Sequence, residues 1–168
     1  VLKYITLGRG IQNYTCASAS SVPVAIGAVA TLFDITPIAY SPLTSPLLTT
    51  LPSSAVYLPI SALRIPSSNM EVLGKHYFDI DGTPVFDLFN EGDRLVAKKV
   101  AAVPAPADAS KGPAGTGAVA WLKLDDKGGS VGLKEVYRVV TAGGNPTAAC
   151  EKAGVLSVQY AAEYWFYG

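Results

Sequence analysis

The sequence predicts an all-β fold, a single-domain antiparallel β-sandwich or barrel with long Pro/Ser/Thr-rich loops. Three observations lead there. Residues 156–167 alternate, with Leu156, Val158, Tyr160, Ala162, Tyr164 and Phe166 on one face and Ser157, Gln159, Ala161, Glu163, Trp165 and Tyr167 on the other. Period-2 patterning with one apolar side marks a half-buried strand. Gly (16) and Pro (12) divide the 168 residues into short apolar runs, as in sandwiches and barrels. No long stretch carries the period of an amphipathic helix.

The elements follow in chain order. Residues 1–16 and 24–35 read as strands. Residues 41–54 are a Ser/Thr/Pro-rich loop with room for one short helical turn. Residues 76–80 and 83–88 form a hairpin around Asp81-Gly82, a dipeptide suited to the two positive φ angles of a type I′ turn. Pro84 lacks an N–H, so its arm lies at an edge or starts late. Residues 94–103 form a strand ended by Pro104-Ala105-Pro106, and 111–117 are a Gly-rich connector. A second hairpin joins 118–124 to 131–142 through 125–130, whose paired Gly128 and Gly129 favour a turn. Residues 156–167 close the chain.

Composition narrows the function. With 13 basic and 13 acidic residues the formal net charge is zero, so no basic surface for nucleic acid is expected. The hydrophobic share of 49% with so little net charge excludes a disordered chain. The longest charge-free run, 35–63, contains five prolines. Each proline removes a backbone donor, so no continuous membrane-spanning helix is expected.

Cys16 and Cys150, two cysteines at opposite ends of the chain, suit a disulfide; two buried free thiols are the alternative. Asn13-Tyr14-Thr15 is an N-glycosylation sequon with Asn13 as acceptor. With the absence of an initiating Met, these features suggest a secreted, mature chain. Two cysteines and one histidine far apart make no zinc site. Asp79, Asp81 and Asp87 lack the spacing of a calcium loop and read as turn and surface residues. No metal and no cofactor is expected.

Candidate site residues come from polar groups interrupting apolar strands. His76 is the only histidine, so any Ser-His-Asp or Cys-His chemistry must use it. It can equally be a structural core residue. Glu163 shares a strand face with Gln159 and Trp165, and a carboxylate beside an aromatic platform suits sugar binding. Glycosidase chemistry would need a second carboxylate at roughly 5–10 Å; a solvent-facing or ion-paired Glu163 is the simpler reading. Tyr77, Trp165 and Tyr14 are expected as an aromatic wall, with His76, Gln12 and Glu163 as polar anchors.

Five segments in order carry a family likeness: Gly10-Ile11-Gln12-Asn13-Tyr14-Thr15-Cys16, Gly74-Lys75-His76, Trp121-Leu122, Arg138-Val139-Val140-Thr141-Ala142-Gly143-Gly144 followed by Pro146 and Cys150, and Tyr160-Ala161-Ala162-Glu163-Tyr164-Trp165-Phe166-Tyr167. From about residue 8 to the end the chain resembles a domain-of-unknown-function family of secreted fungal and bacterial proteins, whose fungal members often carry the name malate dehydrogenase. The resemblance implies secretion and one compact domain, and brings no established activity. Bacterial members tend to follow the His with Gly-Pro-x-Trp, where this chain has Tyr77-Phe78-Asp79. The dehydrogenase name has no motif behind it. A nicotinamide site needs a Gly-rich turn opening a helix, and Gly8-Arg9-Gly10 is followed by no helical pattern.

The expected role is therefore binding of a small molecule or glycan, in an extracellular surface or stress setting. A secreted hydrolase using His76 or Glu163 is one alternative. A structural cell-wall or surface-associated protein is another.

Overall fold

The structure, a computed structural model, describes residues 1–59 and 70–168. Eight strands run in order: β1 (Leu2–Cys16), β2 (Val24–Asp34), β3 (Val72–Phe78), β4 (Pro84–Leu88), β5 (Asp93–Val103), β6 (Trp121–Asp126), β7 (Glu135–Gly143) and β8 (Gly154–Tyr167). Each pairs antiparallel with the next, and β8 returns to β1, so the sheet closes into a barrel. Closure settles the sandwich-or-barrel alternative, and it leaves no open sheet edge. The closing seam runs from Leu2↔Tyr167 to Cys16↔Gly154.

The barrel interior is packed. Ala30, Leu32, Phe86, Leu95, Val136, Tyr160, Tyr164 and Phe166 belong to one buried cluster. The apolar face expected of β8 is this inner face. Gly8 lies against Tyr164, where an added Cβ would come within 2.4 Å of the ring. Small residues on β1 thus make room for large rings on β8. Each such ring contributes about 2–3 kcal/mol by leaving water.

A second core covers one side of the barrel. Helix α1 (Thr36–Tyr40), a 3-10 turn (Ser45–Thr50) and helix α2 (Leu51–Ala55) lie over outward positions of β1, β2, β7 and β8. Ile5, Leu7, Phe33, Leu48, Val56, Ala142 and Ala161 are buried between the two layers. This explains why β1 is buried on both faces from Ile5 to Gly10. The segment is more helical than the single turn expected from sequence. A proline stands in the first turn of each helix, where its fixed φ helps and its missing N–H costs nothing. Arg9 ties the layer down: its guanidinium donates to Ala55 O at 2.7 Å, to Leu58 O, and to Gln159 Oε1 at 3.2 Å.

Three local expectations are corrected. The Asp81-Gly82 turn is not type I′. Only Gly82 has positive φ (73°), and Asp79 Oδ1 accepts the N–H groups of Asp81 and Thr83. A longer loop with one glycine at the left-handed position results. Pro84 does start its strand late, as the first residue of β4. The second hairpin has shorter arms than 118–124 and 131–142: Ala118 makes an isolated bridge to Gly144, and Val131 exchanges hydrogen bonds with Arg94. Finally, β7 carries a bulge between Val139 and Ala142, where Val140 adopts φ 47°. One extra residue exchanges the strand's two faces, so Arg138 points inward while Ala142 packs under the helical layer.

Cys16 and Cys150 are bonded and buried. At the opposite end Lys3 pairs with Asp93, and the Tyr4 hydroxyl donates to the same carboxylate at 3.0 Å. Burial, then that contact, pushes the Tyr4 pKa up to about 12. No helix among the described residues is long and apolar enough to cross a membrane. Residues 60–63 of the charge-free run lie outside the described residues.

Candidate functional site

Strand parity divides the candidate residues between two places. Gln12, Tyr14 and His76 point into the barrel, with Arg138 and Tyr164 near them. Glu163 and Trp165 lie on the outer face of β8, and Tyr77 lies on the outer face of β3, one residue from inward-facing His76. The structure therefore brings Gln12 and His76 together and keeps both apart from Glu163.

Inside, His76 stacks on Phe86 with centroids 4.1 Å apart and planes 8° from parallel. Its Nδ1 lies 2.9 Å from Val85 O. A carbonyl can only accept, so Nδ1 carries the hydrogen and Nε2 is the acceptor nitrogen, with no hydrogen-bond partner among the described residues. Among the described residues no carboxylate hydrogen-bonds this ring, so the orienting acid of a catalytic triad is missing. Burial lowers the His76 pKa from 6.5 to about 4, with the Arg138 charge adding to the effect and the Val85 contact opposing it. The Tyr160 and Tyr164 hydroxyls meet at 2.9 Å. Tyr14 donates to Gly144 O at 2.6 Å, which anchors the chain near the disulfide.

The His76 shift has a consequence for stability. Below pH 6.5 the unfolded chain binds a proton that the folded chain does not, so stability falls as pH drops toward 4. The full loss is about 3 kcal/mol, since one pKa unit corresponds to about 1.4 kcal/mol. Urea denaturation of wild type and His76→Phe at pH 7 and pH 4 is expected to show a shallower acid loss in the variant. Equal losses in both proteins would refute this assignment.

Outside, Glu163 is 1% exposed. Its Oε2 accepts the Trp165 indole N–H at 2.8 Å, and Oε1 has no hydrogen-bond partner among the described residues. Burial raises the carboxyl pKa and the indole bond opposes that rise. Glu163 is thus placed to fix the indole from behind. Trp165, Tyr137, Tyr167, Val139 and Glu135 line an open groove of about 340 Å³. Tyr137 and Tyr167 meet edge to face, with centroids 5.7 Å apart. Lys123 Nζ lies 5.8 Å from the Tyr137 ring centre and pairs with Asp125 at 3.2 Å and Glu135 at 3.0 Å.

Asn13 faces outward on β1, its Oδ1 accepting from the Ser157 hydroxyl at 2.7 Å. Gly8 and Gly10 lie within β1 with no helix after them, so Gly8-Arg9-Gly10 has no phosphate-binding geometry.

Three participants are not among the residues expected from the sequence: Arg138, Tyr137 and Tyr167. Arg138 shares its strand face with apolar Val136, an inward signal lost behind the expected hairpin arm. Tyr167 shares the Trp165 face by alternation alone, but Tyr137 joins that side only once the β7–β8 register, with Tyr137↔Trp165, is known.

A family model described as "Protein of unknown function (DUF3455)" matches residues 1–168. No curated protein and no solved structure matches the chain.

Proposed function

The chain belongs to the DUF3455 family of proteins of unknown function, and from that premise we propose that it is a secreted binding protein that stacks a glycan on the outer face of β7 and β8. One observation carries the reading: Tyr137, Trp165 and Tyr167 line a single open groove flanked by charged Glu135. Aromatic faces take the C–H faces of sugar rings, while Lys123, Asp125 and Glu135 offer donors and acceptors to sugar hydroxyls. The Glu163 bond holds the indole before any ligand arrives, which reduces the ordering cost of binding. The disulfide and the outward-facing Asn13 sequon suit an oxidising, extracellular setting.

Calorimetric titration with a panel of soluble oligosaccharides tests the proposal. At least one is expected to bind, with Trp165→Ala weakening it roughly tenfold, about 1.4 kcal/mol. Tyr77→Ala, on β3, is expected to leave the affinity unchanged. Absence of heat with every sugar, or equal affinity in Trp165→Ala, would sink it. A hydrolase using His76 has less support, because no carboxylate hydrogen-bonds its ring among the described residues.

A further inference from the structure

The barrel interior holds a cavity of about 40 Å³, lined by Gln12, His76, Phe78, Leu122, Arg138 and Tyr164 among others. Its polar groups are mismatched. Arg138 is half-buried, and its Nε and Nη2 both donate to one carbonyl, Ala120 O, at 3.2 and 2.9 Å. Its side chain makes no ion pair among the described residues, and no carboxylate lines the cavity. Gln12 is 8% exposed, and its Nε2 has no hydrogen-bond partner among the described residues. Buried donors and cations are ordinarily paired, because leaving them unpaired costs free energy.

We propose that this cavity binds a small carboxylate of three or four heavy atoms, held by the Arg138 guanidinium and the Gln12 amide. Charge and donor count select that class, and size sets its upper limit. A guanidinium holds a planar carboxylate better than a spherical ion. An unpartnered amide N–H supplies a further donor. A cavity of about 40 Å³, little larger than one water's share of liquid volume, about 30 Å³, sets an upper limit of a few heavy atoms on the ligand. Phe78 and Leu122 beside it limit competition from solvent. His76 is neutral at pH 7, so it adds no second positive charge to the cavity. The site lies inside the wall that carries the outer aromatic groove, so the two are independent.

The test uses the whole chain at pH 7, titrated with sodium formate and sodium acetate at constant ionic strength against sodium chloride. The readouts are the Arg138 Nε–H and Gln12 amide NMR signals. Saturable shifts with formate or acetate, but not with chloride or neutral acetamide, are expected. Gln12→Met should weaken binding severalfold, and Arg138→Met at least tenfold. Should Arg138→Met fail to fold, Gln12→Met and the acetamide control still decide the question. Equal response to chloride, equal response to acetamide, no saturable shift, or undiminished affinity in Gln12→Met would overturn the proposal.

Discussion

Replacing Cys16 and Cys150 together by serine is expected to lower the unfolding free energy by about 5 kcal/mol, from the chain entropy that a loop of this length returns to the unfolded state. The two residues are 134 apart in sequence. A typical domain is stable by about 5–15 kcal/mol in total, so the loss is a large share. It corresponds to a fall in melting temperature on the order of 10–20 °C for a chain this size. The folded barrel itself should survive where stability allows, because β1 and β8 already pair over their whole length without the bond. Local damage should centre on the loop that the sulphurs tie down. There the Ser20 N–H donates to Cys150 O at 2.7 Å and the Cys150 N–H to Ser21 O at 2.8 Å. Urea denaturation measures the global loss, and amide exchange at 20, 21 and 150 measures the local one. A double serine variant within about 1 kcal/mol of wild type would show that the unfolded chain gains little freedom from reduction.

The strands were legible where alternation was strong and bounded by turns. β1, β2, β5 and β8 lie within one or two residues of their expected limits, because inner apolar positions dominate each pattern. Barrel closure was not legible, since pairing of β8 with β1 joins residues more than a hundred positions apart. The helical layer was hidden for a different reason. Its turns are too short for helical periodicity to register, and their prolines read as loop residues until each is seen in a first turn. For the candidate site, local parity was informative and global placement was not. Glu163 and Trp165 were correctly read as sharing a face, and their hydrogen bond follows from it. That this face looks away from His76 depends on which side of a closed sheet is the inside. Arg138 shares its inward face with apolar Val136, but the β7 bulge past Val139 reverses the faces and blurs that pattern along the rest of the strand.

Gly10→Ala is expected to be among the most damaging single-methyl additions in the chain, costing at least about 3 kcal/mol, the upper range for overpacking a well-packed site. Gly10 has an ordinary strand φ, so the cost is steric. A Cβ there would lie 1.9 Å from Val29 O and 2.6 Å from Ala30 Cα. Both are backbone atoms of β2, the strand paired to Gly10 through Ala30. No rotamer change relieves such a contact; the two strands must separate. Gly10 also pairs with Tyr160 on β8, so any retreat of β1 from β2 presses on the closing seam. Gly8→Ala meets the Tyr164 ring, a side chain able to shift slightly, and should cost about 1–3 kcal/mol. Gly128→Ala meets nothing within 4 Å and suffers only from its positive φ of 111°, so about 1 kcal/mol is expected. Urea midpoints for the three variants should therefore fall in the order Gly128, Gly8, Gly10, with Gly10 lowest. A Gly10→Ala protein as stable as Gly128→Ala would mean that β1 and β2 do not approach as closely as their register requires.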